Sequence, residues 1–558
     1  MENTIRFLAL ENAVKFNGKA NPGSIIGKLI SESPELKKDM KTISQQVNSI
    51  VKEVNALDAN EQEAKLLEMK PDFYDEKKQE KESRKSQRNE LPPLKNAREG
   101  EVITRMPPEP SKHNHIGHAL SFLINYLYAK MYKGKCILRL DDTNPEKSRQ
   151  EYVDAVFSDV IDYLGLRPES IIYASDHMDK YYEFAERLIR EGHAYTCACK
   201  KEDMSKDRRD MRECPHRNKT QETVLREWEL MKDGKIKDHV LRLRIDMEHK
   251  NAVMRDPVIY RVCTEAHYRQ KERYYVWPLY DFETAAEDGL NGVTHIIRSN
   301  EFDTRIELHK HIFSLLGFDE PEFRQYGRFN ITGATTKGRE IRELIESGDY
   351  IGWDDPRLVT LKALKRRGIV KEAFYELVKK SGLSKQQTNI DYSMLAAINR
   401  SLLDEKAKRF FFLEDPVKIE TKAPELEAHL KLQPQDTKPK RHIKTDGVFL
   451  IERKDKESIT DSEIVRLMDC VNLVKKGELE YHSAEFEKFK GKKILHWLPK
   501  EGNVDVEILM PDLSVKKGLG EEMIKTLEPG EVVQFERFGF CRLDEIREGG
   551  YVFWYSHD

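Results

Sequence analysis

The sequence predicts a multidomain α/β protein with an all-β C-terminal region, and three observations carry that reading. Residues 102–140 run strand, helix, strand, which implies a parallel sheet. After about Pro416, short apolar strands alternate with Pro and Gly, the pattern of a barrel-like all-β fold. A chain of 558 residues holds about three to five domains. With 39% hydrophobic and 35% charged residues it can still bury substantial cores.

The elements follow in order. Ile43, Val47, Ile50, Val51 and Val54 share one face at helical spacing, with Ser44 as a nearby cap; Ile25, Ile26, Leu29 and Ile30 form a second apolar stripe. The first segment is therefore a small helical domain without evident chemistry. From Glu76 to about Asn96 the residues are nearly all charged or polar, as in a linker or a solvated helix. Val102-Ile103-Thr104 is a strand stopped by Pro107, Pro108 and Pro110. A helix from Ile116 to Met131 turns Leu120, Leu123, Ile124, Leu127 and Met131 inward, and Gly134 separates it from the strand Cys136–Leu140. A helix over Tyr152–Leu164 continues the alternation. Arg105, His115, His118, Asp141 and Asp142 fall just past strand ends, where doubly wound sheets bind ligands.

From about Tyr195 to Pro278 the alternation breaks. Residues 239–245 have period two, an antiparallel strand with one wet face, and the segment reads as an insertion. Gly292–Ile297 resumes the parallel sheet, and residues from about Gly348 to Leu413 read as helical. Gly447–Ile451 and Glu531–Phe535 are strands of the β end. No internal repeat is visible.

Composition excludes several classes. No stretch approaches the ~20 apolar residues of a membrane span, and Met1–Arg6 lacks the layout of a secretory signal. Seven cysteines in a chain of this length do not make a disulfide scaffold, so a reducing, cytoplasmic setting is expected and clustered cysteines read first as metal ligands. A net charge of −3 excludes a globally basic nucleic-acid binder but leaves local basic faces.

Two constellations carry chemistry. His115-Ile116-Gly117-His118 sits at a strand-to-helix turn, where a helix N-terminus presents free N–H groups to phosphate and Gly117 admits a flat base or ribose. Alone, the pair could equally hold a metal or lie on the surface. Cys197, Cys199, Cys214 and His216 form C-x-C, a fourteen-residue loop, then C-x-H. Three thiolates and an imidazole make a closed tetrahedral site of the structural zinc type. Cys136, Cys263, Cys470 and Cys541 are isolated and read as packing residues.

Thr104 through His118 and Leu138 through Pro145 closely resemble the glutamyl/glutaminyl group of class I aminoacyl-tRNA synthetases. The resemblance extends through Tyr280-Asp281-Phe282, Thr294 through Arg298, Gly352 through Arg357 and Arg537 through Phe540, covering nearly the whole chain. The N-terminal segment, from Asn12-Ala13-Val14 to Ile26-Gly27-Lys28, and the β end are similar to the archaeal glutamyl form. The resemblance implies an N-terminal helical domain and linker over 1–95 and a class I Rossmann-type catalytic domain over 96–345, with a zinc-bearing acceptor-binding insertion at about 195–280. It further implies a helical stem over 346–415 and anticodon-binding β-barrels over 416–558.

The resemblance implies activation of L-glutamate by ATP with Mg²⁺, then transfer to the 3′ end of tRNA-Glu, with tRNA-Gln open as a second acceptor. No protein nucleophile is needed, because positioning and fixed positive charge supply the rate. Pro107, Glu109, His115, Gly117 and His118 would meet ATP, with His115 and His118 catalytic. The second family motif falls on Ala334–Arg339 but departs from the pattern: counted without a gap from Arg328, its second lysine position falls on Gly338, so Lys337 or Arg339 would serve. Arg105, Asp141, Tyr280 and Arg298 would line the amino-acid pocket, Asp141 on the ammonium and Arg298 on the γ-carboxylate as a bidentate, charge-assisted pair. Trp353, Asp354 and Arg357 would contact the acceptor end. The basic runs Lys362, Lys365, Arg366, Arg367 and Lys438, Lys440, Arg441, Lys444 are either phosphate contacts or solvated faces. A glutaminyl enzyme and a non-catalytic tRNA-binding relative are the alternatives; a monomer is expected.

Overall fold

The computed structural model describes residues 1–16, 18–32, 39–74, 91–381 and 385–558. The chain forms two compact units, Met1–Glu90 and Leu91–Asp558. Most of the charged linker read from the sequence lies outside the described residues.

The first unit contains α1 (Glu2–Lys15), α2 (Pro22–Glu32), α3 (Met40–Asn55) and α4 (Ala59–Met69). The apolar stripe of α3 is wholly buried, against Ile5, Leu8 and Ala9 of α1 and Ile25 and Leu29 of α2. Ser44 is not the cap: Asp39 precedes the helix, and the Thr42 hydroxyl donates to it at 2.7 Å. Asp58 and Glu61 form a capping box on α4. Gln62 is fully buried, and its amide donates to the Val54, Leu57 and Gly18 carbonyls.

In the second unit, β1 (Ile103–Met106), β2 (Lys135–Leu140) and β3 (Ser170–Tyr173) pair in parallel. They are connected by α5 (Ile116–Met131) and by α6 (Gln150–Phe157), which runs on as a π-helix over Ser158–Tyr163. Beyond α7 (Met178–Arg190) comes the insertion, β4 (Ala194–Cys197), α8 (Lys201–Asp210), α9 (Gln221–Lys232), β5 (Val240–Leu243), β6 (Val258–Val262) and β7 (Val276–Pro278). Its strands form an antiparallel meander. After α10 (Tyr280–Leu290), β8 (His295–Ser299) returns, pairing in parallel with β9 (Glu322–Tyr326) across α11 (Ile306–Leu316). Thr294 docks this pair on β1, its N–H donating to the Ile103 carbonyl and its hydroxyl accepting from the Ile103 N–H. The spatial order is thus β3-β2-β1-β8-β9, and β1/β8 is the switch point at which such sheets bind ligands.

Three local expectations change. Met131 is exposed and Leu127 half-buried, because the last turn of α5 runs past the sheet. Arg105 lies within β1 rather than beyond it. β5 has no wet face: Arg242 is buried and donates to the Asp256 carbonyl at 2.8 Å, since the cysteine loop covers that side.

A short strand β10 (Phe329–Ile331) leads to α12 (Gly338–Glu346), α13 (Leu361–Arg366) and α14 (Lys371–Ser381); β11 (Thr388–Ile390) and α15 (Tyr392–Leu403) follow. Leu364, Phe374, Leu377 and Leu395 share one core with Leu120, Leu123 and Ile124 of α5. Strands begin at Lys408–Phe410, earlier than the 416 read from the sequence, and Phe412–Leu413 follows. These two are the outer strands of one seven-stranded sheet, so the sheet curls into a near-closed barrel completed by residues 504–557. Between them the chain builds a second β body around Phe449, Ile451, Leu467 and Trp497. Arg537 joins the two bodies by donating to both Asp455 oxygens, at 2.7 and 3.0 Å.

Candidate functional site

The carboxyl ends of β1, β2 and β8 and the face of α10 enclose a buried charge network. Arg105 and Arg139 both donate to Asp288 Oδ1, at 2.9 and 2.6 Å. Arg139 also grips both Asp141 oxygens, at 2.6 and 3.2 Å. All four are buried. Burial pushes the Asp288 carboxyl up, but Arg105 and Arg139 outweigh it and hold it below the ordinary range. Burial dominates at Asp141 and raises it against the pull of Arg139. Burial, then the Asp141 charge, drives Glu283 well above its ordinary range. Arg105 and Arg139 are thus paired with Asp288 and Asp141, whereas Arg298 has no carboxylate within ion-pair distance among the described residues.

Arg298 is 6% exposed. Its Nη1 donates to His309 Nδ1 at 3.3 Å, while Nε and Nη2 have no partner among the described residues. His309 donates onward from Nε2 to Asp281 at 3.1 Å, so its tautomer leaves Nδ1 to accept. Phe302 and Phe323 flank the guanidinium at 5.3 and 5.7 Å, and the partly exposed Tyr280 ring lies 5.5 Å from Phe302, tilted by 36°. Burial lowers the Arg298 pKa, with Tyr280 opposing and Arg105 adding to the effect. An unpaired buried cation of this kind calls for an anion.

At the start of α5, His118 Nδ1 accepts from the His115 N–H at 3.0 Å, and His115 Nδ1 accepts from the Gly117 N–H at 3.1 Å. Both rings are thereby held with Nε2–H as donor, their centroids 3.9 Å apart. A Cβ on Gly117 would meet the His115 ring at 3.0 Å. Burial first, then Lys112, depresses His115 to about 3; His118 also falls well below its ordinary range through burial, His115 and Lys112. The histidines are thus neutral hydrogen-bond donors. Unfolded imidazoles protonate below about 6.5 while these stay neutral, so each removes stability as pH falls below about 6.5, by up to about 1.4 kcal/mol per pH unit, and His115 does so down to about 3. Melting at pH 7 and pH 5 should show this, and His118→Asn should narrow the difference.

Thr360 and Val359 pair with this turn, the Ile116 N–H donating to the Val359 carbonyl. That brings the 352–357 segment alongside. Trp353 packs between His113 and Tyr152, with ring centroids 5.1 and 6.0 Å away. Asp354 accepts from Arg366 at 2.7 Å; Arg357 grips Asp355 through Nε and Nη2, both at 2.8 Å. In the second-motif loop, Lys337 pairs with Glu340 and Arg339 with Glu343, at 2.7 and 2.8 Å, both cations largely exposed. Gly338 is buried against Lys112, whose ammonium donates to the Thr336 carbonyl at 3.3 Å.

Cys197, Cys199, Cys214 and His216 converge, each ligand atom within 4.8 Å of the others. Cys197 Sγ lies 3.8 Å from Cys214 Sγ and from His216 Nδ1, and Cys199 Sγ lies 3.4 Å from His216 Nδ1. Tetrahedral bonds of about 2.3 Å to sulfur and 2.0–2.1 Å to nitrogen put neighbouring ligands about 3.5–3.8 Å apart. Arg242 lies 3.9 and 3.7 Å from two of the sulfurs, a counter-charge for thiolates.

The basic runs divide. Arg366 bridges Asp354 and Asp544, Arg367 donates to the Pro356 and Ser556 carbonyls, and Arg441 pairs with Glu521 and Glu536. These three tie elements together; Lys362 and Lys444 remain exposed. Sequence reasoning missed Arg139, Asp288, Glu283, His309 and Lys112. A charged residue inside the apolar run Cys136–Leu140 was the available signal for Arg139. His309 and Asp288 lie on helices whose pattern gives no such sign.

The catalytic-domain model of class I tRNA synthetases (E and Q) matches residues 101–405, and two anti-codon binding domain models of that class match 407–487 and 494–544. The glutamate–tRNA ligase of Pyrococcus abyssi is 40% identical over 569 residues, covering 98% of both chains. That of Methanocaldococcus jannaschii is 36% identical over 568 residues, covering 100% of both. Among solved structures, a glutamate tRNA ligase from Elizabethkingia meningosepticum in complex with its amino acid superimposes with a TM-score of 0.39 at 17% identity, covering 54% of this chain and 70% of that one.

Proposed function

The chain belongs to the glutamyl/glutaminyl (E and Q) family of class I tRNA synthetases, and we propose from that premise that it is a glutamate–tRNA ligase. A glutamate carboxylate oxygen attacks the ATP α-phosphorus and pyrophosphate leaves. A ribose hydroxyl at the tRNA 3′ end then takes the glutamyl group. ATP enters with Mg²⁺.

The observation that carries the reading is the buried Arg298, whose Nε and Nη2 have no partner among the described residues. The γ-carboxylate of glutamate supplies an anion for them; the amide of glutamine does not. In this reading the γ-carboxylate lies on Arg298, beside Tyr280 and Arg105, and the ammonium on Asp141. His115 and His118 donate from Nε2 to phosphate and ribose, Gly117 clears the way for the nucleoside, and Pro107 and Glu109 border it. Lys337 and Arg339 leave Glu340 and Glu343 for the phosphates as the loop closes. Trp353, Asp354 and Arg357 receive the acceptor end, and the β bodies read the anticodon. The enzyme works in the cytoplasm as a monomer, and tRNA-Gln is a second acceptor.

Labelled glutamate and glutamine offered with tRNA-Glu and tRNA-Gln transcripts test this. Glutamate is expected on both transcripts; glutamine attached by the wild type would overturn the specificity, and glutamate on tRNA-Glu alone would remove the second acceptor.

The Cys197, Cys199, Cys214 and His216 set fits a structural Zn²⁺, on the tetrahedral spacing and the Arg242 counter-charge. Metal analysis should give one zinc per chain. Chelation should destabilise the insertion by several kcal/mol, read as an early melting step that Cys199→Ser reproduces.

A further inference from the structure

We propose that Lys112 is a phosphate-binding residue of adenylate formation, filling from the first motif the place that Gly338 leaves empty in the second. The inference rests on the enzymatic reading above. Counted without a gap from Arg328, Gly338 falls where the family pattern has a lysine, and the structure shows what uses that space. A Cβ at Gly338 would meet Lys112 Cδ at 3.0 Å and Cβ at 3.1 Å. The Lys112 stem therefore lies against the bare backbone of the loop, and its Nζ reaches the Thr336 carbonyl at 3.3 Å.

The neighbours of Lys112 are the groups assigned to ATP. Its charge acts on His115 and His118, and Glu109 acts on it in return. Arg342 opposes it from α12, donating to the Ser111 carbonyl at 2.9 Å. Burial is the main influence lowering the Lys112 ammonium. A carbonyl is its hydrogen-bond acceptor and no carboxylate holds it within ion-pair distance among the described residues. Lys337 and Arg339, by contrast, are each engaged by a glutamate of their own helix. Lys112 is thus a cation held between the two motifs, with Arg342 beside it.

In the reaction, the new bond joins a glutamate oxygen to the α-phosphorus and the bond from that phosphorus to the β-bridging oxygen breaks. The electron pair leaves with pyrophosphate, and no proton transfer is required. A pre-placed ammonium stabilises that charge in the transition state more than in bound ATP, which appears in kcat rather than in the glutamate KM.

The test uses the full chain with tRNA-Glu, glutamate, MgATP and labelled pyrophosphate. Lys112→Gln should lower kcat for ATP–pyrophosphate exchange by about a hundredfold. The glutamate KM should stay within twofold and the melting temperature should be unchanged. Lys112→Arg, which keeps the charge, should retain at least tenfold more activity than Lys112→Gln. Exchange by Lys112→Gln within threefold of wild type overturns the proposal. So does a loss shared equally by Lys112→Arg, because packing rather than charge would then explain it. Absence of exchange in the wild type itself would reject the enzymatic reading before any substitution is compared.

Discussion

Arg298→Met should cut kcat/KM for glutamate by about a hundred- to a thousandfold while leaving the melting temperature unchanged or raising it. A charge-assisted hydrogen bond is worth about 1.5–3 kcal/mol, and the two unpaired donors of Arg298 suit a bidentate pair. Without ligand, the same guanidinium is a buried cation whose protonation burial already disfavours. Methionine fills a comparable volume between Phe302 and Phe323 and carries no charge to desolvate. Activity and stability should therefore move in opposite directions, as expected where binding strain is stored in the free enzyme. Aminoacylation kinetics and a melting curve on the same preparation check both halves. A large fall in melting temperature would mean that Arg298 is a structural cation and that its unpaired donors have no ligand to await. Discrimination should also weaken, since with the charge gone glutamine no longer leaves a buried group unpaired.

What was legible in the sequence followed from local rules. The alternation of β1, α5 and β2 is written in apolar spacing, and α5 has the bounds the spacing predicts, Ile116 to Met131. The cysteine set was legible because tight ligand pairs on one loop need little tertiary knowledge. Arg298 was marked by the family motif; its environment was not. His309, which orients it, comes from α11, and Asp288, which anchors Arg105 and Arg139, comes from the far end of α10. Those contacts join residues more than a hundred positions apart in the case of Arg105 and Asp288, and no periodicity encodes them. The opposite error arose at Arg366, Arg367 and Arg441. Runs of basic residues look alike in sequence, yet Arg366 and Arg367 are consumed by Asp544 and the Ser556 carbonyl in holding helical segments to the barrel, and Arg441 by Glu521 in joining the two β bodies.

Asp288→Asn makes the contrasting case. It should destabilise the catalytic core by about 3–5 kcal/mol, because removing one partner of a buried ion network leaves the others uncompensated. Asp288 Oδ1 alone accepts from both Arg105 and Arg139. Asparagine keeps the shape but replaces a carboxylate by an amide that satisfies neither charge, and Asp141 is left to hold Arg139 by itself. At a few degrees per kcal/mol for a large domain, the melting temperature should fall by roughly 10 °C. Activity should fall too, since Arg105 would no longer be fixed beside Tyr280 and Arg298, but it should recover in part on cooling or at saturating glutamate. An Arg298→Met enzyme should not recover on cooling, because its missing group touches the substrate in this reading rather than holding the fold. An Asp288→Asn chain that melts with the wild type would show that Arg105 and Arg139 find other acceptors.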